Sequence, residues 1–209
     1  MKILGIDPGT ATTGYGVITC EKGKFCVIES GWISTSKDDG KGKRLISTFE
    51  QTRSVIQKHR PDIVSIERLF FFINAKTAMT VAESGGVIRL AAALENVPFI
   101  EFAPKSIKLE ITGYGRADKT MVKSAVRKIL NVRSPKKKKT HFDDVSDALA
   151  VALCYARKCL LSSDQNSIMY NKVTNGEAPL KKIKKIKKAK ANKKSPIKGG
   201  DKIGRSKSR

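Results

Sequence analysis

No stretch of this 209-residue chain is apolar for long enough to span a bilayer. The opening apolar run, Ile3-Leu4-Gly5-Ile6, is broken by Asp7, far short of the core of a secretory signal. A cytosolic, cytoplasmic protein with no membrane association is expected. Cysteine is also scarce. The four cysteines fall as Cys20 and Cys26 in a strand-like region and Cys154 and Cys159 in a helix-like one. None forms a C-x-x-C pair or has zinc-site spacing, which excludes a disulfide framework or a structural zinc knot. Acids are the third shortage. Lys and Arg number 42 against 19 Asp and Glu, giving a formal net charge of +23. Residues 180–209 carry +13 of this, with 14 basic residues and the single acid Asp201, and the remainder carries +10. A body that is basic without its tail points to a polyanionic partner, and nucleic acid is the commonest one.

What is present has a readable order. Lys2 to Asp7 has the pattern of a short buried strand, and Pro8-Gly9-Thr10 that of a turn. Tyr15 to Cys20 and Lys24 to Ser34 predict two more strands, joined at Glu21-Lys22-Gly23 as a hairpin. From Arg44 to His59 the apolar spacing becomes helical, and Pro61 closes the helix. Asp62 to Glu67 reads as a fourth strand and Asn74 to Asn96 as a long Ala-rich helix. The Gly85-Gly86 pair there would let another backbone approach. Pro98 to Phe102 is a fifth strand. Helices follow at Lys105 to Ile111, at Asp118 to Leu130 with Asp118 as N-cap, and from Asp143 or Asp144 to Leu161. The order βββαβαβ and then helices predicts an α/β layered domain over residues 1–162. Its mixed five-stranded sheet would be an antiparallel meander followed by parallel strands. The Lys-rich segment 163–209 cannot bury enough apolar surface to offset its ordering entropy, so disorder is expected.

Four acids stand at element boundaries. Asp7 ends the first strand and Glu67 the fourth, while Asp144 and Asp147, three apart, share one face at the start of the last helix. Singly, each is as readily a turn or capping residue. Together, at one predicted sheet edge, they point to a shared task. Clustered carboxylates repel and call for a cation, and oxygen-only ligands suit Mg²⁺ or Mn²⁺. Two such ions roughly 3.5–4 Å apart can drive in-line phosphodiester displacement. That is nuclease chemistry, and it suits a basic protein.

Gly5-Ile6-Asp7-Pro8-Gly9-Thr10 with Gly14-Tyr15-Gly16 resembles the opening of the RuvC-type Holliday junction resolvases. Ile66-Glu67-Arg68-Leu69-Phe70 followed by Asn74-Ala75, and Gly113-Tyr114-Gly115 with Ala117-Asp118-Lys119, resemble later family motifs. The run from Asp144-Val145-Ser146-Asp147 to Leu153 resembles the closing one. The resemblance runs in order from residue 1 to about residue 156. It implies an RNase H-like fold, a homodimer, and paired symmetrical nicks in four-way junction DNA during homologous recombination and DNA repair. It also implies dependence on Mg²⁺, two ions per active site with Mn²⁺ able to substitute, and cooperation with the RuvA and RuvB branch-migration proteins. Carried over by position, the catalytic and metal-binding acids are Asp7, Glu67, Asp144 and Asp147. His141 and Asp143 are neighbours that compete for the third position. Phe70 matches the family's junction-contacting aromatic, and Lys108 and Lys119 match basic positions near the scissile phosphate. Lys136, Lys137, Lys138 and Lys139 form a loop more basic than the family pattern, placed to meet backbone phosphates.

Three other readings compete. An RNase H-like nuclease acting on ribosomal RNA precursors shares the Asp-Pro-Gly opening but lacks the Phe-bearing segment and the closing motif. A sugar-kinase or actin-like ATPase needs a second lobe. A non-catalytic basic DNA-binding protein would leave the carboxylates structural, and would bind without cutting when Mg²⁺ is added.

Overall fold

Among the described residues, five strands and five helices follow in the order βββαβαβααα that the sequence pattern predicts, and the strands assemble around the first of them. In the computed structural model the described residues are 1–9, 11–36, 38–68, 75–132 and 142–161, with backbone alone at 75–77, 142, 160 and 161. The expected tail, 163–209, and its boundary lie outside them. The strands are β1 (Lys2–Asp7), β2 (Thr12–Glu21), β3 (Lys24–Ser34), β4 (Ile63–Glu67) and β5 (Phe99–Phe102). The helices are α1 (Lys41–His59), α2 (Ala75–Leu94), α3 (Pro104–Thr112), α4 (Lys119–Leu130) and α5 (Phe142–Leu161). The sheet runs β3-β2-β1-β4-β5, antiparallel on the first side of β1 and parallel on the other. This is the expected mixed sheet.

Side chains alternate across a strand, so one register fixes two faces. Leu4, Ile6, Val64 and Ile66 pack with Val17 against Ile56 of α1 and Ile88, Ala91 and Ala92 of α2. Ile3, Ile18 and Ile63 turn the other way, into the layer of α3, α4 and α5. Gly5, Asp7, Ser65 and Glu67, alternating with the first set, therefore share the α5 face. The result is three layers, α1 and α2 over the sheet and α3, α4 and α5 under it.

Helix α5 is the central element of the lower layer. It lies across β2, β1 and β4, and every residue from Ala148 to Ala156 is buried. Small residues permit this approach. A Cβ on Gly5 would lie 2.1 Å from the Ala148 carbonyl oxygen, and one on Gly14 would lie 2.0 Å from that of Asp144. The Ser65 hydroxyl ties β4 to the same helix by donating to the Val151 carbonyl at 3.0 Å.

Two elements begin a full three residues earlier than their sequence patterns indicate. β2 starts at Thr12, since Thr12 to Gly14 continue its ladder with β3 up to Thr12↔Ser34. α1 starts at Lys41, a polar turn with no apolar period to reveal it. The expected cap is present: Asp118 accepts from the Met121 amide at 2.8 Å. All four cysteines are free thiols, two of them buried. None of the described helices is long and apolar enough to cross a membrane.

Candidate active site

The register of β1 against β4 pairs Ile6 with Ile66, so the next residues, Asp7 and Glu67, emerge side by side from two parallel strand ends. Their carboxyls lie close enough to perturb one another. Burial, then the charges of Glu67, Asp147 and Asp144, pushes the Asp7 carboxyl well above the ordinary carboxylate range, against the pull of Lys119. Burial and the Asp147 charge raise Glu67 likewise, opposed by the Asp7 hydrogen bond and by Lys119 and Lys108. Burial also raises Asp147, opposed first by Lys119. The Lys119 ammonium lies 3.4 Å from Asp147 Oδ2 and is itself pushed up by that carboxylate.

The remaining acids separate cleanly. Asp144 accepts from the Thr12 hydroxyl at 2.7 Å, and its charge is felt at Asp7. Asp143 is mostly exposed and pairs with Lys123 of α4. Between these two competitors, Asp144 faces the strand-end pair. His141, Phe70 and Lys136, Lys137, Lys138 and Lys139 lie outside the described residues. Sequence reading missed Thr12 and Lys123. Neither had a signal, because each acts through a partner more than a hundred or about twenty residues away.

The donor set bears on a metal. Among the described residues, no three His, Cys, Asp or Glu side chains already stand as a metal-holding group. What the site has is oxygen donors only, on three elements, with their mutual repulsion opposed by Lys119. Such a charge surplus fits a hard divalent cation.

A mixed sheet in this order, acids at the ends of its two central parallel strands and two more on the helix beneath, defines the RNase H-like class. The family model for crossover junction endodeoxyribonuclease RuvC matches residues 3–155. The chain belongs to that RuvC family. It is 44% identical over 171 residues to the crossover junction endodeoxyribonuclease RuvC of Caldicellulosiruptor saccharolyticus, covering 81% of this chain and 97% of the relative. The Thermus thermophilus RuvC structure superposes with a TM-score of 0.70 at 29% identity, covering 78% of this chain and 97% of that one. T. thermophilus RuvC in complex with a Holliday junction substrate gives 0.68 at 26%, covering 78% and 98%.

Proposed function

We propose that this protein resolves four-way DNA junctions by metal-dependent, paired symmetrical nicks, as a homodimer in the cytoplasm. The observation that carries this reading is the Asp7–Glu67 pair at adjacent parallel strand ends, with Asp144 and Asp147 brought to it by α5. Family membership and the junction complex of the similar T. thermophilus protein support the substrate.

Asp7, Glu67, Asp144 and Asp147 would hold Mg²⁺, two ions per site, with Mn²⁺ able to substitute. Bound ions of this kind supply water activation and neutralise developing negative charge. The chain's own residues do the rest. Asp7 and Glu67 are only partly exposed, which limits screening of the site by bulk water. Thr12 holds the Asp144 carboxylate in place, and Lys119 offers a cation beside Asp147 to the phosphate being cut. Lys108 adds positive potential at Glu67. A four-way junction has pseudo-two-fold symmetry, and a C2 dimer presents two equivalent sites to it. Helix α2 is the candidate interface, since Met79, Leu90 and Leu94 on it are exposed. Cooperation with RuvA and RuvB belongs to the same reading.

The test is incubation with synthetic four-way, three-way and linear duplex DNA, with and without Mg²⁺, followed by nick mapping. Paired nicks confined to the four-way junction and to Mg²⁺ are expected. Tight binding without cutting would instead identify a non-catalytic DNA binder.

A further inference from the structure

The face of the sheet opposite the carboxylates carries a second charged group at the same edge. Beyond β4, Arg68 is held in line by its amide, which donates to the Phe102 carbonyl at 2.8 Å. Alternation turns its side chain away from Glu67, toward α2. Glu101 of β5 stands opposite Ile66 in the register and faces the same way. It accepts from Arg89 of α2 at 2.7 Å, while the Arg68 guanidinium lies 3.9 Å from its other oxygen. The three line a cavity of about 240 Å³ together with Pro8, Ile66, Glu67, Ala82 and Gly85.

The two arginines are not equivalent. Arg89 is engaged at hydrogen-bond distance and lies along its own helix, its guanidinium within 4.0 Å of where Cβ atoms on Gly85 and Gly86 would be. A Cβ at either glycine would make only ordinary contact with that side chain. The Arg68 pair is too long for a hydrogen bond, and its side chain is 58% exposed. A guanidinium carries five donors in a planar fork that matches the oxygens of a phosphate. Glu101 holds Arg89 at hydrogen-bond distance but not Arg68, so the Arg68 fork keeps donors to offer a phosphodiester.

We infer that this pocket binds a DNA phosphodiester other than the one being cut, with Arg68 as the contacting residue and Glu101 fixing Arg89 beside it. The inference rests on the nuclease reading for its choice of polyanion. It gives the enzyme an anchor beside the strand ends that carry its carboxylates, which would fix the DNA register relative to Asp7 and Glu67.

The experiment measures affinity of the full chain for a four-way junction against KCl, without divalent metal so that no cutting occurs. Neutralising one phosphate contributes roughly −0.9 to the log–log slope. Arg68→Ala removes one such contact from each of the two protomers of the proposed dimer, so it should weaken binding and flatten the slope by about twice that amount, and Arg68→Lys should restore the slope. Lys24→Ala, an exposed lysine at the far end of the sheet, should change neither. A separate cleavage assay with Mg²⁺ on the unaltered protein reports on the nuclease reading by itself. An unchanged slope in Arg68→Ala overturns the phosphate site even when the unaltered protein cuts. A flattened slope upholds it even when the protein does not cut. Loss of a dimer in sedimentation with the slope unchanged would place Arg68 at a protein interface and overturn the inference. A melting temperature within a degree or two of the unaltered protein's confirms that Arg68→Ala is folded. Should it melt, Arg68→Lys and Arg68→Gln decide by the same slopes.

Discussion

Asp7 works against the stability of the chain that carries it. Its carboxyl, with those of Glu67 and Asp147, is held above the ordinary range chiefly by burial. Each group therefore binds a proton more readily folded than unfolded. Stability from these groups is fully present below their unfolded values and is lost as pH rises through the folded ones. The metal-free protein should melt at a lower temperature at pH 8 than at pH 5 so far as these acids decide it, and divalent cation should reverse the loss. Asp7→Asn removes one charge, so the metal-free variant should melt higher at neutral pH, by about 2–4 °C for each kcal/mol of penalty relieved. That advantage should shrink toward pH 4. The same variant should bind junctions normally and lose cleavage. A variant that cuts in Mg²⁺ at near the normal rate would remove Asp7 from the ligand set. Thr12 offers a finer test. Its hydroxyl donates to Asp144, so if Asp144 holds metal as proposed, Thr12→Val should cost roughly 10–100-fold in metal affinity or rate, with Thr12→Ser restoring most of it. Single-turnover cleavage against Mg²⁺ concentration measures this. The acids themselves were legible in the sequence because each sits where an apolar pattern stops. Thr12 and the Arg68–Glu101–Arg89 group were not, because they exist only through the register of strands remote in sequence.

At the scale of elements, α5 couples the core to the chemistry. One helix supplies the buried centre of the lower layer and also carries Asp144 and Asp147. Its height above the sheet is set by Gly5 and Gly14, which leave no room for a side chain. Gly5→Ala would drive a methyl group into the Ala148 carbonyl and Ala152, so the helix must lift. Overpacking of this kind costs about 1–3 kcal/mol, sometimes more. Denaturant unfolding should show that loss, and cleavage should fall further than stability alone explains because both acids move with the helix. Gly42→Ala is the matched control. It lies in the first turn of α1 with nothing near its Cβ, and should be neutral or up to about 1 kcal/mol stabilising. Equal stability of the two variants would contradict the packing account. The strands, the last helix and their facing were readable from apolar periodicity and from Ala content. The early starts of β2 and α1 were not, since Thr12 to Gly14 and Lys41 to Lys43 have no apolar period and are fixed by tertiary pairing and helix propagation.

For the whole molecule, charge is divided between a body at +10 and a terminal segment at +13. The body has cations at the edge of the proposed active site, Lys119 beside Asp147 and Lys108 near Glu67. Geometry of this sort distinguishes one DNA shape from another, because fixed charges meet phosphates only where the path of the backbone matches. Residues 180–209 have lysines in repeated clusters with almost no apolar pattern to order them, so their attraction to phosphate should be indifferent to shape. Deleting 180–209 should therefore weaken binding to junction and duplex by the same factor and flatten the salt dependence of both, at roughly 0.9 in slope for each phosphate no longer neutralised. The ratio of junction to duplex affinity should stay nearly constant. Titration of both DNAs across a range of KCl, for the full and shortened chains, separates the possibilities. Unchanged slopes would assign the segment a role away from DNA, and a fall in the junction-to-duplex ratio would show that it contributes to shape recognition.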